Sequence, residues 1–235
     1  MPDKKDLTLI DTQTQLTDLF GGNIPDRASA QETFGKFRLL MTYYRCAMKE
    51  IVTKFEVLNE EFSLQYDRNP ISSIQSRLKS GASIHGKLKK KNVPITIDNM
   101  EKELSDIAGI RLICPFLEDV YYLEKALLAQ DDIQLIERKN YIDSPKQNGY
   151  RSLHLIVAVP IFLSREKRIM KVEVQIRTIA MDSWASLEHQ LRYKKDFEFT
   201  QAMEDELKHC AELSNELDIR MDALRRQLLN QEETL

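Results

Sequence analysis

Residues 168–178 read RIMKVEVQIRT, and their alternation decides the fold. Met170, Val172, Val174 and Ile176 fall on one face of an extended chain, while Lys171, Glu173, Gln175 and Arg177 fall on the other. Successive side chains of a strand point to opposite sides, so this is a strand with one buried and one polar face. Taken alone it says no more than that. The preceding segment, NGYRSLHL at 148–155, changes the balance. There Tyr150, Ser152 and His154 share one face, and Leu153, Leu155 and Val157 share the other. Paired with polar faces matched, the two strands bring together a ring, an imidazole, a carboxylate, an amide and a guanidinium. Such a set can stack a base and handle a proton.

Outward from this pair, residues 107–114 (IAGIRLIC) form a short apolar run that suits a buried strand. Residues 116–129 are predicted as a helix, 132–141 as a strand, 149–160 as a strand closed by Pro160, and 179–194 as a helix around Trp184. Helices flanking a mixed sheet make an α+β domain. Upstream, Phe34, Phe37, Met41, Tyr44, Met48, Ile51, Phe55, Leu58 and Phe62 step by three and four, predicting one long helix before Asn69-Pro70. Downstream, Leu207, Cys210, Ser214, Leu217, Met221, Leu224 and Leu228 repeat that step. The ordinary reading is that the two seams pack on each other or on the sheet; a sharper one adds a helix-on-helix interface between subunits.

Lys and Arg number 34 against 37 Asp and Glu, a net charge of −3. That excludes a globally basic nucleic-acid binder but not a local basic patch. No apolar run reaches the roughly 18 residues of a membrane helix, and the opening MPDKKDLTLIDTQ has no secretory signal. A cytoplasmic protein with no membrane partner is expected. Cys46, Cys114 and Cys210 are widely spaced and expected to be reduced thiols. No His-Asp dipeptide or HExxH occurs, so a conventional metal-hydrolase site has no support.

One basic segment stands out: SRLKSGASIHGKLKKK at 76–91. It is not a GxxxxGK[ST] loop. Small residues before a cationic helix start nonetheless offer backbone N–H groups and charges to a triphosphate. A solvated basic loop, or a contact for RNA phosphates, fits the same residues. Asp106 precedes the strand that carries Arg111. A carboxylate there suits Mg²⁺, with phosphates completing the shell, or simply a turn. Asp106 and Glu173 together, near the cationic segment, point to a metal and phosphoryl site with acid-base capacity.

Four blocks, SRLKSGASIHGKLKKK, DIAGIRLIC, YIDSPKQNGYRSLHLIV and VEVQIRTIAMDSWASLEHQLRYK, occur in this order over roughly residues 68–195. In this the chain resembles the small alarmone synthetases, the single-domain members of the Rel-type (p)ppGpp synthetases. The resemblance implies a nucleotidyltransferase-like synthetase domain and Mg²⁺-dependent transfer of the β,γ-pyrophosphate of ATP to the 3′-hydroxyl of GDP or GTP, with AMP released. It also implies a homotetramer and synthesis without hydrolase activity. The division that follows is a flexible leader at 1–30, a helix at 31–66, the catalytic core at 67–195 and an oligomerising helix at 196–235. Carried over by position, Arg77 and Arg111 would sandwich adenine, a role suited to Arg. Lys79, Ser83, Lys87 and Lys90 would hold the ATP phosphates, although the family usually has Arg where Lys90 stands. Asp106 would bind Mg²⁺, and Glu173 would help hold the ion and act as general base. Tyr150 would stack on guanine, with Lys139, Lys146, Asn148, His154 and Gln175 around the acceptor. Asn140, in ERKNY, replaces a usual acidic residue. A catalytically silent nucleotide- or RNA-binding regulator is the alternative on the same fold, with RNA a compatible rather than a predicted partner. The pair Asp106 and Glu173 argues for the enzyme, since a pure binder of anions gains nothing from two carboxylates.

Overall fold

A computed structural model describes residues 27–66, 68–193 and 199–232. In chain order the elements are α1 (Arg27–Tyr66), β1 (Ser73–Leu78), α2 (Gly81–Lys90), α3 (Ile97–Glu103), β2 (Ala108–Cys114) and α4 (Leu117–Leu128). They continue with β3 (Gln134–Asn140), β4 (Leu153–Phe162), β5 (Lys167–Thr178), α5 (Ile179–Tyr193) and α6 (Gln201–Glu232). The strands form one sheet in the order β1-β2-β5-β4-β3. β2 and β5 run parallel, and the other neighbours are antiparallel. The fold is therefore α+β with a mixed five-stranded sheet flanked by helices, as the alternation predicts.

The apolar faces read from the sequence meet in the core. Val172, Val174 and Ile176 of β5 lie beside Leu155 and Val157 of β4 and Leu112 of β2, all fully buried. α1 lays its stripe on this face: Phe37, Met41, Tyr44, Met48, Ile51, Phe55, Leu58 and Phe62 are all buried. Each such side chain contributes about 1.5–3 kcal/mol by leaving water. Val120, Leu123 and Leu127 of α4 close the same core. The opposite face of the sheet keeps its polar residues.

Several boundaries differ from the expectation. α1 begins at Arg27, inside the span assigned to a loose leader; residues 1–26 lie outside the described ones. The strand expected at 149–160 is Leu153–Phe162, and Ser152 is fully buried. Its hydroxyl donates to the Ile176 carbonyl at 3.3 Å instead of standing on the polar face. The basic segment is part strand, since Arg77 and Leu78 end β1. No periodicity announced β1 or α3.

The two helical seams behave differently. On α6 the side facing the body is Leu207, Ala211, Asp218 and Asp222, all buried. Most of the predicted seam lies on an adjacent face, where Leu217, Leu224 and Leu228 are 53%, 54% and 63% exposed. No helix among the described residues is long and apolar enough to cross a membrane.

Candidate active site

Register alone assembles the site. Across the five strands, Gln75, Arg111, Gln175, His154 and Lys139 are directly opposite in sequence of neighbours. The adjacent row is Arg77, Gly109, Glu173, Ile156 and Glu137. Opposed residues on one face stand within side-chain reach, so the two rows bring Arg77, Arg111, Lys139, His154, Glu173 and Gln175 together. Gly109 occupies the centre without a side chain. A cavity of about 290 Å³ opens there, lined by Gln75, Arg77, Gly109, Arg111, Glu173 and Gln175.

At one end of this trough sits Asp106. Lys79, whose N–H donates to the Ile107 carbonyl at 2.8 Å, follows β1 directly. Its ammonium and that of Lys87 from α2 both donate to Asp106 Oδ2 at 2.6 Å. Burial opposes ionisation of Asp106, but the two lysines outweigh it and hold the carboxyl below its ordinary range. Two ammoniums against one carboxylate leave the cluster cationic. α2 starts beside it because Ser80 caps the helix, accepting from the Ser83 N–H at 3.3 Å, while the two hydroxyls lie 2.9 Å apart. Lys90 is exposed at the end of α2 and is not drawn to Asp106.

Glu173 lines the trough itself, opposite Gly109 in register. Its Oε1 lies 3.5 Å from His154 Nδ1, and its Oε2 accepts from Gln175 Nε2 at 3.1 Å. Burial again raises the carboxyl, but the His154 contact and then the Gln175 hydrogen bond carry it below the ordinary range; Asp106 is near enough for its charge to oppose them. The hydrogen bonds continue past the imidazole. Tyr150 Oη is 2.9 Å from His154 Nε2 and accepts from Arg177 Nη2 at 2.6 Å. With Arg177 donating, the Tyr150 hydroxyl donates to Nε2, which leaves the Nδ1 proton for Glu173. Arg177 also donates to Gln175 Oε1 at 3.2 Å and to Asp182 Oδ1 at 2.9 Å. Asp182 lies 3.5 Å from Arg111 as well, so one carboxylate ties both guanidiniums.

The loop 145–151 closes this side. Lys146 Nζ stands 4.8 Å from the Tyr141 ring centre and 4.7 Å from that of Tyr150. Asn148 accepts from the Tyr150 N–H at 3.2 Å and donates to Glu188 at 3.4 Å. Lys139 is exposed and paired with Glu137 at 2.9 Å, beside His154 in register. Sequence reasoning left Asp182, Tyr141 and Gly109 out of the site. Arg177 did stand on the polar face of the alternating strand, yet it is only 5% exposed and acts as a hub under Tyr150. Asp182 had no such signal, because its partners come from two different strands.

The donors for a divalent ion can be tested on this geometry. Asp106 Oδ1 is buried and has no hydrogen-bond partner, although Oδ2 takes two lysines. Among the described residues no cluster of three or more His, Cys, Asp or Glu could hold a metal. A free oxygen on Asp106 and an ionised Glu173 suit an ion that takes one or two protein carboxylates and fills its shell from phosphates and water, as Mg²⁺ does.

Comparison with known proteins shows the family. A family model described as a region found in RelA / SpoT proteins matches residues 76–198. The chain is 42% identical over 185 residues to the GTP pyrophosphokinase YwaC of Bacillus subtilis (strain 168), covering 79% of this chain and 88% of that protein. It is 35% identical over 184 residues to YjbM of the same organism, a GTP pyrophosphokinase, covering 77% and 85%. Its fold matches the crystal structure of small alarmone synthetase 1 from Bacillus subtilis bound to its product pppGpp, with TM-score 0.74 and 31% identity over 83% of this chain and 99% of that one. Small alarmone synthetase 2 from Bacillus subtilis matches with TM-score 0.74 and 38% identity, over 81% and 98%. The chain belongs to the RelA/SpoT family, among its small alarmone synthetases.

Proposed function

We propose that the chain transfers the β,γ-pyrophosphate of ATP to the 3′-hydroxyl of GDP or GTP, giving ppGpp or pppGpp and AMP. The observation that carries this reading is the pair of ionised carboxylates beside the trough, Asp106 under two lysines and Glu173 beside an imidazole. The two curated relatives described above are named as pyrophosphokinases, which gives a silent regulator no support.

Arg77 and Arg111, on either side of the Gly109 trough, flank the adenine of ATP. Lys79, Ser83, Lys87 and Lys90 take its phosphates. The acceptor lies at the other end, its guanine against Tyr150 and its polar groups against Lys139, Lys146, Asn148, His154 and Gln175. The 3′-oxygen attacks the β-phosphorus as the bond from that phosphorus to the α,β-bridging oxygen breaks, so AMP departs. Glu173 takes the hydroxyl proton, and His154 with its Tyr150 and Arg177 supports keeps the carboxylate turned toward the acceptor. Bound Mg²⁺, held by Asp106 and Glu173, would offset charge on the phosphates. Cations on both sides of the trough lower the repulsion between two polyphosphates.

The exposed seam of Leu217, Leu224 and Leu228 on α6 supports a homotetramer built through that helix. A cytoplasmic location accords with these substrates. The deciding assay mixes the protein with γ-labelled ATP, GDP and Mg²⁺. Label in a guanosine tetraphosphate, with one AMP per product, is expected. Pyrophosphate in place of AMP, or no tetraphosphate, would refute the assignment.

A further inference from the structure

The loop that carries Lys146, Asn148 and Tyr150 packs on α6 closely at Gly149. Gly149 adopts φ +87°, and a Cβ built on it would lie 2.5 Å from the Ala211 methyl, a separation that real atoms do not reach. Glycine is needed there twice over, for the backbone angle and for the approach. On either side of the contact the loop and helix are separated by grooves of about 310 Å³ and 710 Å³, both bordered by Lys146 and Lys208. The methyl of Ala211 therefore sets the gap.

α6 cannot easily yield at this turn. Trp184 Nε1 donates to the Leu207 carbonyl at 2.9 Å, one turn before Ala211. Thr178 Oγ1 donates to Asp218 Oδ2 at 2.6 Å, two turns after it. The loop is bonded to itself more than to the helix: Gly149 N–H donates to the Lys146 carbonyl at 2.8 Å, and Lys146 N–H to the Tyr150 carbonyl at 3.2 Å. A push at Gly149 is thus passed to Lys146, Asn148 and Tyr150 together, whereas the donor-side residues sit on β1, α2 and the start of β2.

We infer that Ala211 is a positioning residue for the acceptor nucleotide, fixing loop 145–151 from behind without touching substrate. This rests on the reading of Lys146, Asn148 and Tyr150 as acceptor contacts. The test compares Ala211→Val and Ala211→Gly in the full chain, with AMP release for kinetics and calorimetry for GDP binding. Ala211→Val raises the acceptor KM about tenfold, an effect of the size that small misplacements produce. The KM for ATP stays within about twofold. Ala211→Gly, which slackens the contact instead of displacing the loop, raises the acceptor KM about threefold. Should the valine variant lose its circular dichroism signal, the glycine variant decides. Equal rises in both KM values, or unchanged GDP affinity in a folded variant, overturn the inference. A wild-type chain that binds GDP but forms no tetraphosphate refutes the synthetase reading instead, and the GDP affinities still judge the role of Ala211.

Discussion

Replacing Glu173 by Gln tests the mechanism most directly. The substitution keeps the shape of the side chain and leaves an amide oxygen able to accept from Gln175, which now bonds Oε2 at 3.1 Å. What disappears is the charge 3.5 Å from His154 and the capacity to take a proton. The carboxyl lies below its ordinary range, so the wild-type group is ionised at neutral pH and free to accept a proton. A positioned general base contributes about 10²–10⁴-fold, and the lower bound corresponds to about 2.7 kcal/mol of barrier. Turnover should therefore fall about a hundredfold or more. Neither nucleotide should bind much less well, because removing a negative charge does not repel phosphates, and both KM values should stay within about threefold. AMP release measured across ATP and GDP concentrations gives all three numbers. Raising Mg²⁺ separates the two tasks given to Glu173: recovered turnover assigns ion holding, and unrecovered turnover assigns the base. A kcat within about threefold of wild type would remove Glu173 from the chemistry.

Tyr150→Phe deletes the hydroxyl between Arg177 and His154, leaving a buried guanidinium short of an acceptor. Denaturant unfolding should show a loss of about 1–3 kcal/mol, and unchanged stability would deny Tyr150 that bridging role. Leu217→Glu with Leu224→Glu places two charges in the exposed seam of α6; light scattering should report a smaller assembly than wild type, and an unaltered mass would clear the seam of any part in it. Asp106 and Glu173 both sit below their ordinary values when folded. The stability they contribute is present above the unfolded carboxylate range near pH 4 and is lost as pH falls through the lower folded values. Thermal melts should fall between pH 5 and pH 3 for wild type and fall less for Glu173→Gln; parallel curves would contradict the shift.

Much of this was legible before any coordinates. The strict alternation of 170–177 placed Glu173 and Gln175 on the polar face, and the stripe from Phe37 to Phe62 placed α1 on the core. β1 was illegible because SIQSRL, an edge strand with only half its width against neighbours, carries too few apolar residues to show a period. The α6 seam left its partner open for another reason. A three-four pattern reports that a helix will cover apolar surface, and is silent on whether its own chain or another covers it. The role of Asp182 escaped because it depends on which strands become neighbours, and that is decided by the whole sheet.

The parallel pairing of β2 with β5 has a kinetic meaning. Gly109 meets Glu173 across α4, β3 and β4, so the trough joins segments distant in sequence. Such pairings form slowly, since loop closure must come before any reward in contacts. Helical signal should thus return early when the denatured chain is diluted into buffer, with nucleotide binding regained last. No partly folded intermediate or proteolytic fragment lacking either half would be able to make a signalling nucleotide prematurely.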